Sequence, residues 1–131
     1  MKLSQLIGLY KEHAAASLLQ QSFANNPHTK AHFKGLIGSQ DVLLAASITQ
    51  EVKRPHLFIL SDKEEAAYFL NDLENVLQKE VLFFPGSYRR PYQIEETDNA
   101  NVLLRAEVLN SLNHQRYPII VSYPEALFEK V

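Results

Sequence analysis

Three short apolar runs constrain the fold more than any other feature of this chain. They are Leu57-Phe58-Ile59-Leu60, Val81-Leu82-Phe83-Phe84 and Ile119-Ile120-Val121. Each is too short for a helix and reads as a buried parallel strand. Between them apolar residues return at helical spacing. Ala66, Phe69, Leu70, Leu73, Val76 and Leu77 form one stripe, and Val102, Ala106, Leu109 and Leu112 mark another helix. Residues 42–52 form a largely apolar helix that Lys53-Arg54-Pro55 stops, and residues 32–37 read as a first strand ahead of it. Strand and helix therefore alternate. The expected fold is α/β, with a parallel sheet of about four strands, right-handed crossovers and helices on both faces. Asp62 with Glu65 three residues on has the outline of a capping box. Leu3, Leu6, Ile7 and Tyr10, then Ala14, Leu18, Leu19 and Phe23, predict two N-terminal helices ended by Asn25-Asn26-Pro27. The expected organisation is a helical extension over 1–30 and an α/β subdomain over 31–131.

In such sheets, sites lie at the carboxyl ends of the strands. Two segments fall there. The first, Gly35-Leu36-Ile37-Gly38-Ser39-Gln40-Asp41-Val42, has the frame of a phosphate-binding loop without its chemistry. The working pattern is G-x-x-x-x-G-K-[ST]. Gly35 fits the first position, but Gln40 replaces the second Gly, Asp41 the Lys, and Val42 the metal-binding hydroxyl. A Lys there neutralises phosphate charge, whereas an Asp repels it. Nucleotide hydrolysis by this segment is therefore not expected. Asp41 has a structural use instead, because a carboxylate in a first helical turn complements the helix dipole.

The second segment, 85–97, carries Tyr88-Arg89-Arg90-Pro91-Tyr92. Basic residues interleaved with aromatics can stack on bases and pair with phosphates. Glu95, Glu96 and Asp98 follow at once and cancel that charge. Tyr88, Arg89, Arg90 and Tyr92 are therefore a candidate protein-interaction loop, since Tyr and Arg are enriched at interface hot spots.

Composition excludes several function classes. The 131 residues suit one domain, and the formal charge of −2 gives no global attraction to nucleic acid or anionic membrane. No apolar run is long enough for a membrane span, the N-terminus lacks a signal-peptide block, and there is no Cys. A cytoplasmic location is the expectation. His28 and His32 are four apart, but Pro27 and the absence of a nearby third ligand argue against a metal. No nucleophile or acid–base pair stands in a catalytic context. The stretch 122–131 begins what looks like a further helix, as in a piece of a longer protein.

The order of these motifs resembles a known family. The Gly35 to Ser39 loop opening a helix, the strand 55–60 followed by Ser61-Asp62-Lys63, the Phe84-Pro85-Gly86 turn before Tyr88, the stretch 92–98, the Arg105 helix and the closing strand Ile119-Ile120-Val121-Ser122 are similar to the first domain of the repair protein UvrB. UvrB keeps the Gly-Lys-Thr that is missing here. The family that joins this layout to a lost phosphate loop is the transcription-repair coupling factor, Mfd, and the chain resembles its N-terminal UvrB-like subdomain. That resemblance implies a RecA-like layer serving as a non-catalytic scaffold. It implies a full-length ATP-dependent DNA translocase that displaces stalled RNA polymerase and recruits UvrA for nucleotide excision repair. ATP and Mg²⁺ would bind only at a C-terminal motor, with no cofactor in this segment. UvrA would dock mainly on the following subdomain, RNA polymerase and DNA on others, and later domains would pack on this one. Residues 85–97 are too few for the long DNA-clamping hairpin of UvrB. The alternative is a nucleotide-binding fragment of a UvrB-like excision-repair helicase with a divergent loop.

Overall fold

The central strand is β3 (Ile119–Ser122), flanked by β1 (His56–Ile59) and β2 (Leu82–Phe83) in the order β1-β3-β2, all parallel. This is a computed structural model, which describes residues 1–26, 28–87 and 99–129. His56 pairs with Ile119 and Ile59 with Ser122 on one side, while Leu82 pairs with Ile120 on the other. The architecture is thus a three-stranded parallel sheet with helices, an α/β arrangement. Ile120, Val121 and Ser122 are all buried, as expected of a strand covered on both faces.

Six helices accompany the strands among the described residues: α1 (Leu3–Glu12), α2 (Ala14–Asn25), α3 (Gln40–Glu51), α4 (Lys63–Leu77), α5 (Asn99–His114) and α6 (Pro124–Phe128). Helix α4 starts where the sequence predicts. The Asp62 carboxylate accepts a hydrogen bond from the Glu65 N–H at 2.8 Å, satisfying one of the donors that a helix start leaves open. The Ser61 hydroxyl bonds the Glu65 carboxylate beside it. The stripe Ala66, Phe69, Leu73 and Leu77 is buried against α3 and β3. Phe58 meets Phe69 with ring centroids 5.4 Å apart, which fixes α4 to that face of the sheet. The helix ends at Gln78 in a left-handed conformation (φ 53°), a cap that commonly takes Gly.

Helices α1 and α2 pack on α3. Lys11 reaches Glu51 at 3.0 Å, and Ile7, Ala16 and Leu19 are buried. Leu18 belongs to the apolar stripe read from the sequence, yet it points to solvent.

Two sequence expectations fail at the sheet. The predicted strand over 32–37 does not form, so the sheet has three strands rather than about four. Gly35 at φ 80° breaks the extended path, and Phe33 alone in that stretch is half-buried. Residues 31–37 lie alongside β1 without pairing, across a crevice of about 460 Å³. The second failure lies at β1, an edge strand with one face uncovered, so Leu57 and Ile59 on that face are 50% and 56% exposed rather than doubly buried.

Candidate functional site

The loop singled out by the sequence lies beside the carboxyl end of β1, where α3 and α4 begin, and not at the end of a strand of its own. Gly35 (φ 80°) and Gly38 (φ 59°) both adopt left-handed backbone, which a side chain would strain. The turn then feeds α3. A working phosphate loop aims its free N–H groups at an anion. Here side chains of the loop itself take two of them. The Gln40 side-chain oxygen accepts from the Ile37 N–H at 2.8 Å, and the Asp41 carboxylate accepts from the Val42 N–H at 2.7 Å. Val42, at the position of the metal-binding hydroxyl, is buried in the core. Ser39 is the N-cap residue but makes no side-chain cap bond.

The crevice in front of this loop holds about 290 Å³ and is lined by Gly38, Ser39, Asp41, Glu65, Tyr68 and Asp72, among others. Three carboxylates face it and no Lys or Arg does. The loop has its two glycines beside a crevice, but the charge there has the wrong sign for a nucleotide. Among the described residues, no three acidic or His side chains stand close enough to hold a metal ion. Asp41 therefore acts as a local cap in the place of an anion. Asp41→Ala is expected to cost about 0.5 kcal/mol, a small value because the carboxylate is exposed. Denaturant unfolding checks this, and an unchanged midpoint would remove the capping role.

The carboxyl ends of β2 and β3 are closed by a polar network. Buried Arg105 on α5 donates to the carbonyls of Pro85 at 2.9 Å, Ala126 at 3.1 Å and Glu129 at 3.2 Å. Its guanidinium lies 4.2 Å from the centroid of the Phe84 ring. The Tyr123 hydroxyl accepts from the Gly86 N–H at 2.8 Å, and the Ser122 hydroxyl donates to the Phe84 carbonyl at 2.8 Å. The Glu129 carboxylate takes the Ser87 N–H at 2.8 Å and also bonds the Ser87 hydroxyl. These groups bond one another and hold the segment after β2 against α6. Sequence reasoning named the Arg105 helix without giving Arg105 this role. The available signal was a lone Arg inside the otherwise apolar stretch 102–106. The candidate loop residues Tyr88, Arg89, Arg90 and Tyr92 lie outside the described residues.

The same network explains a further reversal. The sequence marks Val102, Ala106, Leu109 and Leu112 as the stripe of α5, yet this is not its buried face. Arg105, Val108 and Ser111 are buried, whereas Val102, Leu103, Leu109 and Leu112 are 43%, 69%, 36% and 47% exposed. Two buried carbonyls and a part-buried third without donors would cost more than half-exposing a few aliphatic side chains. The guanidinium therefore sets the rotation of the helix. Through its register with Ile120, Leu57 shares the sheet face that α5 covers at β2, and Ile59 shares it through Ser122. That face is covered over β2 and open over β1.

No family model matches the chain, and no solved structure matches it. Among curated proteins, the chain is similar to the ABC transporter permease protein YxdM of Bacillus subtilis (strain 168), at 23% identity over 114 residues, covering 75% of this chain. The match spans only 18% of the permease. This overturns the resemblance to the UvrB-like subdomain of coupling factors, since the relative found is a permease and no repair protein. The DNA-repair, transcription-coupling, helicase, ATP-binding and DNA-binding assignments that came with that resemblance fall with it. The motifs that suggested it, a Gly turn before a helix and short apolar strands, are shared by many unrelated α/β sheets. Among the described residues, no helix is long and apolar enough to cross a membrane.

Proposed function

We propose that this chain is a non-catalytic interaction domain, a RecA-like α/β layer whose phosphate loop keeps its turn and has lost its chemistry. The carrying observation is the outward side of α5, where Val102, Leu103 and Leu109 are exposed within about 120° of the helix circumference while the helix buries Arg105 and Ser111. A helix turned this way exposes apolar surface that a folded partner segment would cover. Half-exposed Leu57 and Ile59 extend the uncovered area on the same side of the sheet. The acidic crevice at Asp41, Glu65 and Asp72 supports the non-catalytic part of the reading, because it repels the phosphates that a nucleotide enzyme must hold.

The test uses the apolar dye anilinonaphthalene sulfonate. The folded domain should enhance its fluorescence, and the double variant Leu103→Glu/Leu109→Glu should lose most of that signal. Its unfolding midpoint should stay within the small range of surface substitutions, about 0.5 kcal/mol per site. Loss of folding in the variant would mean that these side chains belong to the core, and the reading would fail. Dye signal unchanged by the substitutions would place the sticky surface elsewhere.

A further inference from the structure

The opposite end of the sheet carries the opposite charge. At the amino ends of β1 and β3 lies a crevice of about 200 Å³, lined by Lys53, Arg54, His56, Lys79, Gln115 and Tyr117, with Glu80 as its one carboxylate. We propose that this crevice binds a phosphate group.

Three observations carry the assignment. First, the charges converge from separate parts of the chain. Lys53 and Arg54 follow α3, Lys79 follows α4, and Gln115 and Tyr117 follow α5. Second, the cations are uncommitted. Among the described residues, none of Lys53, Arg54 and Lys79 has a carboxylate within 4.0 Å, although Glu80 lines the same crevice. Third, neutral donors stand beside them in the Gln115 amide and the Tyr117 hydroxyl. Arg116 lies over the Tyr117 ring at 5.9 Å and adds a fourth cation next to the crevice.

The simpler role for these cations is to offset the helix ends. The three helices end here, and each C-terminus carries roughly half a negative charge. Together the ends contribute about −1.5, and Glu80 a further −1. Lys53, Arg54, Lys79 and Arg116 supply four positive charges, which leaves a surplus even after that role is filled. His56 is engaged elsewhere, its Nε2 hydrogen-bonded to the Val52 carbonyl at 2.9 Å. A dianion gains more from such a cluster than a single carboxylate does, and an Arg fork with Lys point charges suits tetrahedral phosphate oxygens. The volume admits a phosphate group with bound water and is too small for a length of folded polymer. The phosphate can come from a free phosphate compound or from a phosphorylated side chain of a partner.

The experiment follows the backbone amide resonances of the intact chain during titration with two probes. One is inorganic phosphate, and the other is a short neutral peptide carrying one phosphoserine. Saturable shifts are expected at Lys53, Arg54, Lys79 and Tyr117, and none at residues 38–43. Lys79→Glu and Arg54→Glu should each weaken binding about tenfold, and Glu80→Gln should tighten it about threefold at low salt. Both side chains are exposed, so the fold should persist in the charge-reversed variants. Shifts with both probes would support the crevice with a free phosphate group as its ligand. Shifts with the peptide alone would support it with a phosphorylated partner. No saturable shift with either probe would overturn the proposal, as would shifts that persist undiminished in Lys79→Glu. The proposal stands apart from the apolar-face reading, because none of its residues lies on the outward face of α5.

Discussion

Arg105→Met should destabilise the domain by about 3–5 kcal/mol, the largest effect expected from a single polar substitution here. The side chain is nearly isosteric in its stem, so the loss isolates the guanidinium. Without it, the carbonyls of Pro85, Ala126 and Glu129 lose their donor together. An unsatisfied buried acceptor costs about 1–3 kcal/mol, and water entering the opened site recovers part of that. The ion pair is the lesser part of this junction. Arg105 Nη1 is 3.9 Å from the Glu129 carboxylate, at the limit of contact, and that carboxylate is about one-third exposed. Glu129→Gln should therefore cost no more than about 1 kcal/mol. Arg105→Lys should fall in between, because one ammonium does not span three carbonyls. Urea unfolding of the three variants gives the order directly. Equal losses for Arg105→Met and Glu129→Gln would show that the ion pair, and not the carbonyl network, holds α6 in place.

Leu73→Ala should cost about 2–5 kcal/mol through lost burial and the cavity left behind. Leu73 has no exposed surface and lies midway along the buried stripe of α4, one turn from both Phe69 and Leu77. Alpha-4 is held between α3 and β3, so the void has rigid neighbours on both sides and collapses little. Tyr68→Ala on the same helix is the control. That ring is 74% exposed, so its removal should change stability by less than about 0.5 kcal/mol. For a domain whose whole stability is about 5–15 kcal/mol, the Leu73 variant should be visibly sensitised to urea and heat. A loss as small as that of Tyr68→Ala would mean that α4 is not the element on which the core is built.

Local signals in the sequence translated well where a single helix face or cap decided the outcome. Asp62 caps α4 as its position predicts, although the Glu65 carboxylate bonds Ser61 and does not complete the capping box, and Ala66, Phe69, Leu73 and Leu77 face the core. The three apolar runs became three parallel strands. The failures all needed tertiary information. Residues 32–37 have the composition of a weak strand, but Gly35 in the left-handed region prevents pairing. Leu57 and Ile59 looked buried because an apolar run does not reveal whether both faces of its strand are covered. In α5 the apolar periodicity pointed to the wrong face. A single Arg serving three carbonyls from 20 to 24 residues away outweighed four aliphatic positions. At the candidate site, the sequence showed a Gly-turn frame with no Lys or hydroxyl where a phosphate loop needs them. It did not show that Glu65 and Asp72 from the next helix would join Asp41 in one crevice. Family resemblance misled for a related reason. Short strands and Gly turns recur wherever parallel sheets form, so their order says more about architecture than about activity.

The most direct measurement is a calorimetric titration of the chain with Mg²⁺-ATP, run on the wild type and on Asp41→Lys. The expected result for the wild type is no binding heat, because Asp41, Glu65 and Asp72 line the crevice in front of the loop. Asp41→Lys should gain at most weak binding, since the other two carboxylates remain and Val42 still replaces the metal-binding hydroxyl. Saturable micromolar binding by the wild type would contradict the account. The loop would then be a working nucleotide site, and the non-catalytic reading would have to be abandoned.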